Sequence, residues 1–551
     1  MKTNSYSKLT KMKKKLLYLA SALALTTIST NFFAQAPTLG TAAEYVLFST
    51  DGAVNITGPS ILTGNLGTNN GTTTTFENVN GVINDANLAS AQCAADLLIA
   101  YNQLNATPPN YFISQLLGNG DTLINGVYSI SQAATIDLNL YLDAENDTNA
   151  VFVILINGSL SPAAGSKIKL INGAKACNVY WKIEGMLSVA AGSSMKGTFV
   201  VNNASIELNT NDTLDGRLLT TAGAITVDGS LAYTPTGCGS PILNGPTPPA
   251  LETTACYTLF SANGNVTNTG VSFVTGDIGS NVGSAIGFDS LNVTGTIHPI
   301  NDASTAACAS DLLDVYNYLN ALPYDIELLQ PTKFGKNLVL TPHTYLINAA
   351  TIFTDSVFLN AKGNADAVFV IKIVGAFSTS TYAKVILINA AQAKNVYWLI
   401  TGAVEINEFS TFKGTIIVNN GAIDLKSNVS LEGRALTIDG VVTSAAITAN
   451  GTMIPGTCSP LGINSFDETV DFINIYPNPF NASATFTINN QSKINIAELI
   501  IYNVFGNEVI RTKITKQANT INTSNLAAGF YFYKITSNNK LIQTGKLISN
   551  N

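Results

Sequence analysis

Charge is scarce in this chain. Of its 551 residues only 11% are Asp, Glu, Lys or Arg, less than half the roughly 25% usual for globular domains. The formal net charge of −7 leaves no basic footprint, which argues against a nucleic-acid partner. Histidine is scarcer still, with only His298 and His343. The six cysteines contain no CxxC pair, so their spacing argues against a zinc site, while their number suits an oxidising compartment. No apolar run beyond the N-terminal region reaches the length of a membrane span. Disorder is excluded as well, since 46% of the chain is apolar and disorder needs low hydrophobicity with high charge.

The N-terminus reads as an export signal. Lys11, Lys13, Lys14 and Lys15 precede the apolar stretch LLYLASALALTTI from Leu16, which is too short to span a bilayer comfortably. Cleavage is expected near Ala34 or Ala36, giving a signal over residues 1–36 and no membrane span after its removal. No cysteine follows the stretch, so a lipid anchor is not expected.

What fills the rest is a repetition. AEYVLFSTDGAVNITGPSILTGNLG from Ala43 returns as CYTLFSANGNVTNTGVSFVTGDIG from Cys256, and CNVYWKIEG from Cys177 as KNVYWLITG from Lys394. The offset grows from 212 (Tyr45 to Tyr257) through 217 (Trp181 to Trp398) to 220 (Cys238 to Cys458). Solenoid repeats recur every 20–50 residues or so, so this is a duplicated domain. The expected division is a first module over 37–240, a Pro-rich and extended linker over 241–250, a second module over 251–458, a linker over 459–471, and a different unit over 472–551. Chemistry essential to the module should occur in both copies.

Each module reads mostly as short strands. Ile206 and Leu208 alternate with Ser205, Glu207 and Asn209, and Gly- and Asn-rich turns separate such runs, as in short strands with one buried face. One segment per copy departs from this. Residues 85–105 and 301–321 are alanine-rich and free of glycine and proline, and each predicts a helix. Leu88, Ala91, Ala95, Leu98 and Tyr101 form the expected buried stripe. The run AVFVILI from Ala150, apolar on both sides of a strand, is where that helix should pack. Periodicity allows a coiled β-body with one flanking helix, or a β-sandwich with an inserted helix.

The ordered motifs LGTAAEYVLFS, TGPSILTGNLG, the alanine-rich helix, DTNAVFVILI, INGAKACNVYW, GSSMKGTFV and DGRLLTTAGAITVD together resemble the ice-binding domain of microbial ice-binding proteins. The second copy carries the same series. The resemblance covers roughly 400 residues. It implies a mainly β fold: two right-handed β-helices of triangular section, each with one flanking helix, and one flat face that binds ice. Outward threonines expected there are Thr57, Thr63, Thr198 and Thr226, and in the second copy Thr269, Thr275, Thr415 and Thr443. The Thr-Ala/Gly-x-Thr/Asn motif frequent in that family is absent; TGPS at Thr57 and TGVS at Thr269 come nearest. A surface adhesin that uses the same scaffold on glycans or cells is the second functional reading. Among the fifteen possible cysteine pairings, the repeat suggests Cys93–Cys238 and Cys308–Cys458.

The last unit opens with YPNPF, around Pro477, Asn478 and Pro479, and closes with AGFYFYKI, around Gly529, Tyr531 and Lys534. It resembles the type A C-terminal sorting domain of the Bacteroidetes type IX secretion system, expected as a small β-sandwich. That resemblance implies the type IX machinery as partner, and delivery to the outer cell surface or release.

Catalysis finds little support. The first module has no histidine, so no Ser-His-Asp or Cys-His arrangement can be shared. No catalytic residue, metal ligand or cofactor is expected. His343 reads as a surface or turn residue. Asp143, Glu145 and Asp147 alternate as calcium ligands can, but Asn360, Lys362 and Asn364 replace them in the second copy, and an exposed turn is the simpler reading. Arg217 and Arg434 read as structural contacts, and Trp181 and Trp398 as core.

Overall fold

The computed structural model describes residues 34–238, 242–451, 473–488, 496–515, 518–537 and 540–550. The chain forms two compact units, divided between Pro460 and Leu461. The first unit contains both modules, and each is a β-helix of parallel strands. In the first module one sheet stacks, in spatial order, Ile83–Asp85, Asn65–Asn70, Tyr45–Asp51, Thr213–Thr220, Ser194–Val201, Val179–Ile183, Phe152–Ile156, Gly126–Ile130 and Tyr111–Phe112. The order is not sequential. The chain starts inside the stack, steps to one end, crosses to the other end, and coils back until Leu47 pairs with Leu218.

The crossing is made by helix α1, Leu88–Ala106; α2, Ala303–Ala321, does the same in the second module. Nineteen residues span ~28 Å at ~1.5 Å each, most of the length of the strands it must pass at ~4.8 Å apiece. Capping boxes start both helices. Asn87 Oδ1 accepts from the Ser90 amide at 2.9 Å and Asp302 Oδ1 from the Thr305 amide at 2.9 Å, each cap contributing ~1 kcal/mol.

The helices stand where expected, but the buried stripe differs. Cys93, Leu97, Ala100 and Leu104 face the sheet, whereas Leu88 and Leu98 are exposed. Alanine and leucine surround the helix on all sides, so apolarity alone does not choose a face. The choice falls to which side chains fit against Phe48, Val153, Leu155, Tyr180, Val200 and Leu219. Val153 and Leu155 belong to the AVFVILI run, which carries Phe152, Ile154 and Ile156 on its other side into the interior of the coil. Trp181 and Trp398 lie in that interior, their Nε1 donating to the carbonyls of Lys196 and Lys413 at 3.0 Å each.

The disulfide pairing also differs. Cys177 bonds Cys238, with a Cα–Cα distance of 6.0 Å, so Cys93–Cys238 does not form. Cys93 and Cys308 are wholly buried, each on the sheet-facing side of its helix, where burial pushes their thiols well above the usual range. Cys177 instead sits in the short turn Ala176–Asn178, within reach of the returning chain end. Lys394 holds the matching place in the second module, so no bridge can start from that position there. Cys458, and with it the expected Cys308–Cys458 pair, lies outside the described residues; so does the export signal up to residue 33.

The segment joining the modules is bound rather than bridging space. The Asn244 carbonyl accepts from the Val368 amide at 2.8 Å, Asn364 Nδ2 donates to Asn244 Oδ1 at 2.9 Å, and the Tyr318 hydroxyl donates to the Thr247 carbonyl at 2.9 Å. The modules also touch directly, end to end. Asn78 exchanges two 2.8 Å hydrogen bonds with the Gln330 backbone, Lys336 pairs with Glu77 at 3.2 Å, and Lys333 lies 3.8 Å from the Phe76 ring centroid. The Tyr345 hydroxyl, fully buried, donates to Asn80 Oδ1 at 2.6 Å.

The second unit is a two-sheet antiparallel sandwich. Ile473–Tyr476, Ser483–Ile488 and Asn519–Asn522 form one sheet; Glu508–Thr515, Ile496–Tyr502, Gly529–Ser537 and Lys540–Ser549 form the other. Phe480, Phe486, Leu499, Ile501, Ile535 and Leu547 fill the space between. Pro477 and Pro479 follow cis peptide bonds. Asn478 between them clamps the last strand, accepting from the Ile548 amide at 2.9 Å. Tyr531 is buried and donates to the Ala527 carbonyl at 3.0 Å, while Lys534 is exposed.

Candidate functional site

Each β-helix has three faces, and they differ in what they leave to solvent. The first face is covered by the helix. Thr198 and Thr415 point into this covered region and are fully buried. Arg217 Nη1 donates to Thr198 Oγ1 at 3.1 Å and Arg434 Nη1 to Thr415 Oγ1 at 3.4 Å. The same arginines tie the Ala43 and Ala255 carbonyls, at 2.8 and 3.2 Å through Nε. These two threonines are therefore internal fastenings and cannot meet an external surface. Alternation was read correctly in these strands, but the outward side is roofed over.

The third face contains Thr63, in register with Tyr233, and Thr275, in register with Asn450. Both are half-buried. This face is charged. Lys167 and Lys169 are exposed on adjoining positions, Lys196 pairs with Asp215 at 3.5 Å, and Lys413 with Glu432 in the second module. Such groups hold their own hydration.

The second face is built from triplets of apolar, outward, apolar residues: Val54–Asn55–Ile56, Ile225–Thr226–Val227, Ile206–Glu207–Leu208 and Leu187–Ser188–Val189. Period-two geometry sends the middle residue out. Strand register then aligns Thr74, Asn55, Thr226, Glu207 and Ser188 in one column. Single bridges carry it on past Leu160 and Ala134 to Ser161, Thr135 and Leu116. The column has eight positions at ~4.8 Å, a straight line of ~34 Å. It holds a single carboxylate, Glu207, which accepts from Ser188 Oγ at 3.1 Å. Thr57 lies at the edge of this face, exposed beside Asp228.

The second module builds the same column from other residues. Register aligns Ile286, Thr267, Thr443, Asp424, Glu405, Ser378 and Ile352, with Thr269 at the edge. Charges occupy its centre. Lys426 Nζ lies 2.5 Å from Asp424 and 3.2 Å from Glu405, and these bonds raise its pKa above the ordinary lysine range. Thr443 spends its hydroxyl on Asp424 at 2.8 Å. Ile286 and Ile352 at the two ends are exposed.

Of the eight expected threonines, only Thr226 and Thr443 stand in these columns. Asn55, Thr74, Thr135, Ser161 and Ser188 were not anticipated. For all but Thr74, which lies in a run of four threonines, the signal was the middle place in an apolar-x-apolar triplet, but no triplet states which face it joins. The candidate calcium and histidine positions make contacts within the chain. Asp143 accepts from the Glu145 amide at 2.8 Å and from Asn172 Nδ2 at 2.9 Å. His298 Nδ1 is 2.6 Å from Asp302, the cap of α2. His343 is only partly exposed, at the junction of the modules, with Nδ1 3.1 Å from Thr341 Oγ1; burial lowers its pKa. Among the described residues no group of three or more His, Cys, Asp or Glu could hold a metal ion, and no helix is long and apolar enough to cross a membrane.

Comparison with known proteins gives this geometry a context. Residues 48–232 and 260–450 match the family profile described as Ice-binding-like, and residues 474–550 that described as Secretion system C-terminal sorting domain. An ice-binding protein of Nostoc sp. (strain HG1) is 36% identical over 194 residues, 34% of this chain and 71% of that protein. One from Flavobacterium frigoris (strain PS1) is 31% identical over 221 residues, 37% of this chain and 76% of that protein. The crystal structure of an ice binding protein from an Antarctic bacterium, Flavobacteriaceae, superposes with a TM-score of 0.75 at 53% identity. It covers 77% of this chain and 99% of its own.

Proposed function

Because the chain belongs to the ice-binding-like family, with two copies of its domain ahead of a secretion sorting domain, we propose that it binds ice outside the cell, without catalysis, through the second face of its first module. The sorting domain makes it a protein of the cell exterior, delivered by the type IX route. The column Thr74–Asn55–Thr226–Glu207–Ser188–Ser161–Thr135 is the observation that carries the reading. Short hydroxyl and amide groups at a regular ~4.8 Å rise offer water a fixed set of partners. The parallel backbone ladder beneath holds them in place before ice arrives, so little ordering is needed on contact. With Glu207 its one carboxylate, bonded to Ser188, the face carries little competing hydration.

In the second module the Glu405–Lys426–Asp424 cluster breaks the corresponding column. Its face is the weaker partner in the proposal. The two modules are fixed to each other by the Asn78–Gln330 and Asn80–Tyr345 contacts, so avidity does not depend on a swinging linker.

Thermal hysteresis and ice-recrystallisation inhibition of the purified protein test the proposal. Both should be present, and should persist after residues 472–551 are removed. Absence of both at high concentration would refute it. Removal of the same residues should leave the protein inside the cell envelope; normal surface delivery of the truncated chain would contradict the sorting assignment.

A further inference from the structure

One corner of the second module holds two bulky residues in a backbone conformation that bulky residues avoid. Tyr382 and Phe409 have φ of 61° and 59°, in the left-handed region where a large side chain is an outlier. They occupy the turns between the second and third faces of consecutive coils. Their rings stack with centroids 5.0 Å apart and an interplanar angle of 8°. Both are well exposed, 62% and 43%.

The first module shows what the fold itself requires there. At the constant offset of 217, Tyr382 corresponds to Gly165 and Phe409 to Gly192. Those glycines take φ of 72° and 77°, and a Cβ at either would meet nothing within 4 Å. Glycine therefore satisfies the turn, and the space outside is open in that module. The second module has placed two aromatic rings in this space at a backbone cost that one stacked pair does not offset. Leu138 of the first module shares this conformation at the same corner, also exposed, but only Tyr382 and Phe409 build a stacked aromatic pair there, and such a pair gives reason to look for a function.

We propose that Tyr382 and Phe409 form a carbohydrate-binding platform for a neutral, hydroxyl-rich polysaccharide. Exposed aromatic rings offer flat apolar surfaces to the C–H faces of pyranose rings. Polar groups that could bond the sugar hydroxyls surround the pair. Asp355 lies one coil away on one side and Asn428 on the other, each also in the left-handed region, and Thr381 and Glu408 are the residues preceding the two aromatics. All four are exposed. Carboxylates and an amide at the rim select a neutral glycan over an anionic one. The site lies outside the ice-facing column of the first module, so it is separable from ice binding.

Affinity electrophoresis of the protein in gels cast with neutral soluble polysaccharides, laminarin, xyloglucan and soluble starch, tests this. The wild type should be retarded by at least one of them. The double variant Tyr382→Gly/Phe409→Gly, which restores the backbone of the first module, should lose the retardation by about tenfold or more in apparent affinity. Its melting temperature should hold or rise, since the backbone strain is relieved, and its ice-recrystallisation inhibition should stay unchanged. Equal retardation of variant and wild type, or no retardation by any of the three, would overturn the proposal. A variant that keeps its fold but loses ice activity would overturn it too, by making the pair an extension of the ice-facing surface.

Discussion

Asp212 shows how a single residue departs from the repeat. It is fully buried, and Val429, its counterpart at the offset of 217, is in the core of the second module. Burial raises its pKa to about 6, although it accepts from the amides of Ser193 and Asn209 at 2.7 and 2.8 Å. The unfolded value is ~3.9. Between these two the folded state holds more protons than the unfolded state, so this group's contribution to stability is greatest below pH ~4 and declines as pH rises to about 6. The loss is about 3 kcal/mol at most. Asp212→Asn should flatten the fall in melting temperature between pH 4 and 6; an unchanged pH profile would contradict it. At this scale the sequence was legible only in part. Inward and outward residues such as Ile206 and Glu207 could be separated by alternation. Thr198 could not be recognised as covered, because what closes over it is Arg217, fastened to the Ala43 carbonyl more than 150 residues earlier.

Helix α1 separates what a pattern shows from what packing decides. Its position was plain from a stretch rich in alanine and free of glycine and proline, and its capping box follows from Asn87 and Ser90. The orientation was not, since Leu97 and Leu98 are equally apolar and adjacent. Only Leu97 is buried, at 0% exposure against 53% for Leu98. Leu97→Ala should cost ~2–5 kcal/mol, and Leu98→Ala should stay within ~0.5 kcal/mol. Urea denaturation of the two variants checks this, and equal losses would restore the stripe expected from Leu98. The Cys177–Cys238 bridge closes a 61-residue separation. Cys238→Ser should lower the stability of the fastened modules by ~2–4 kcal/mol, read as a shift of the urea midpoint. Unchanged stability would contradict the pairing. Sequence spacing could not choose this pair, because Cys177 and Cys238 meet only after the coil has returned to its starting end.

As a whole the chain is two coils fastened end to end, followed by a sorting sandwich. Duplication and the β-helix class were legible because long ordered motifs occur twice. The end-to-end fastening was not, since Asn80 and Tyr345 are 265 residues apart and neither position is repeated in the other role. Asn80→Ala leaves the buried Tyr345 hydroxyl without that acceptor, at ~1–3 kcal/mol. Calorimetry should then resolve the modules into two transitions where the wild type shows one; two transitions in the wild type would mean that the junction does not couple them.

The most direct measurement is uptake of protein into a slowly growing ice hemisphere, comparing wild type with Thr226→Tyr and Thr443→Tyr. Each substitution places one bulky ring in the middle of a second-face column while sparing the strand beneath. Thr226→Tyr should reduce uptake by about tenfold or more at an unchanged melting temperature, and Thr443→Tyr should change it little. Full uptake of Thr226→Tyr, with its fold intact, would contradict the assignment of ice binding to the first module's second face.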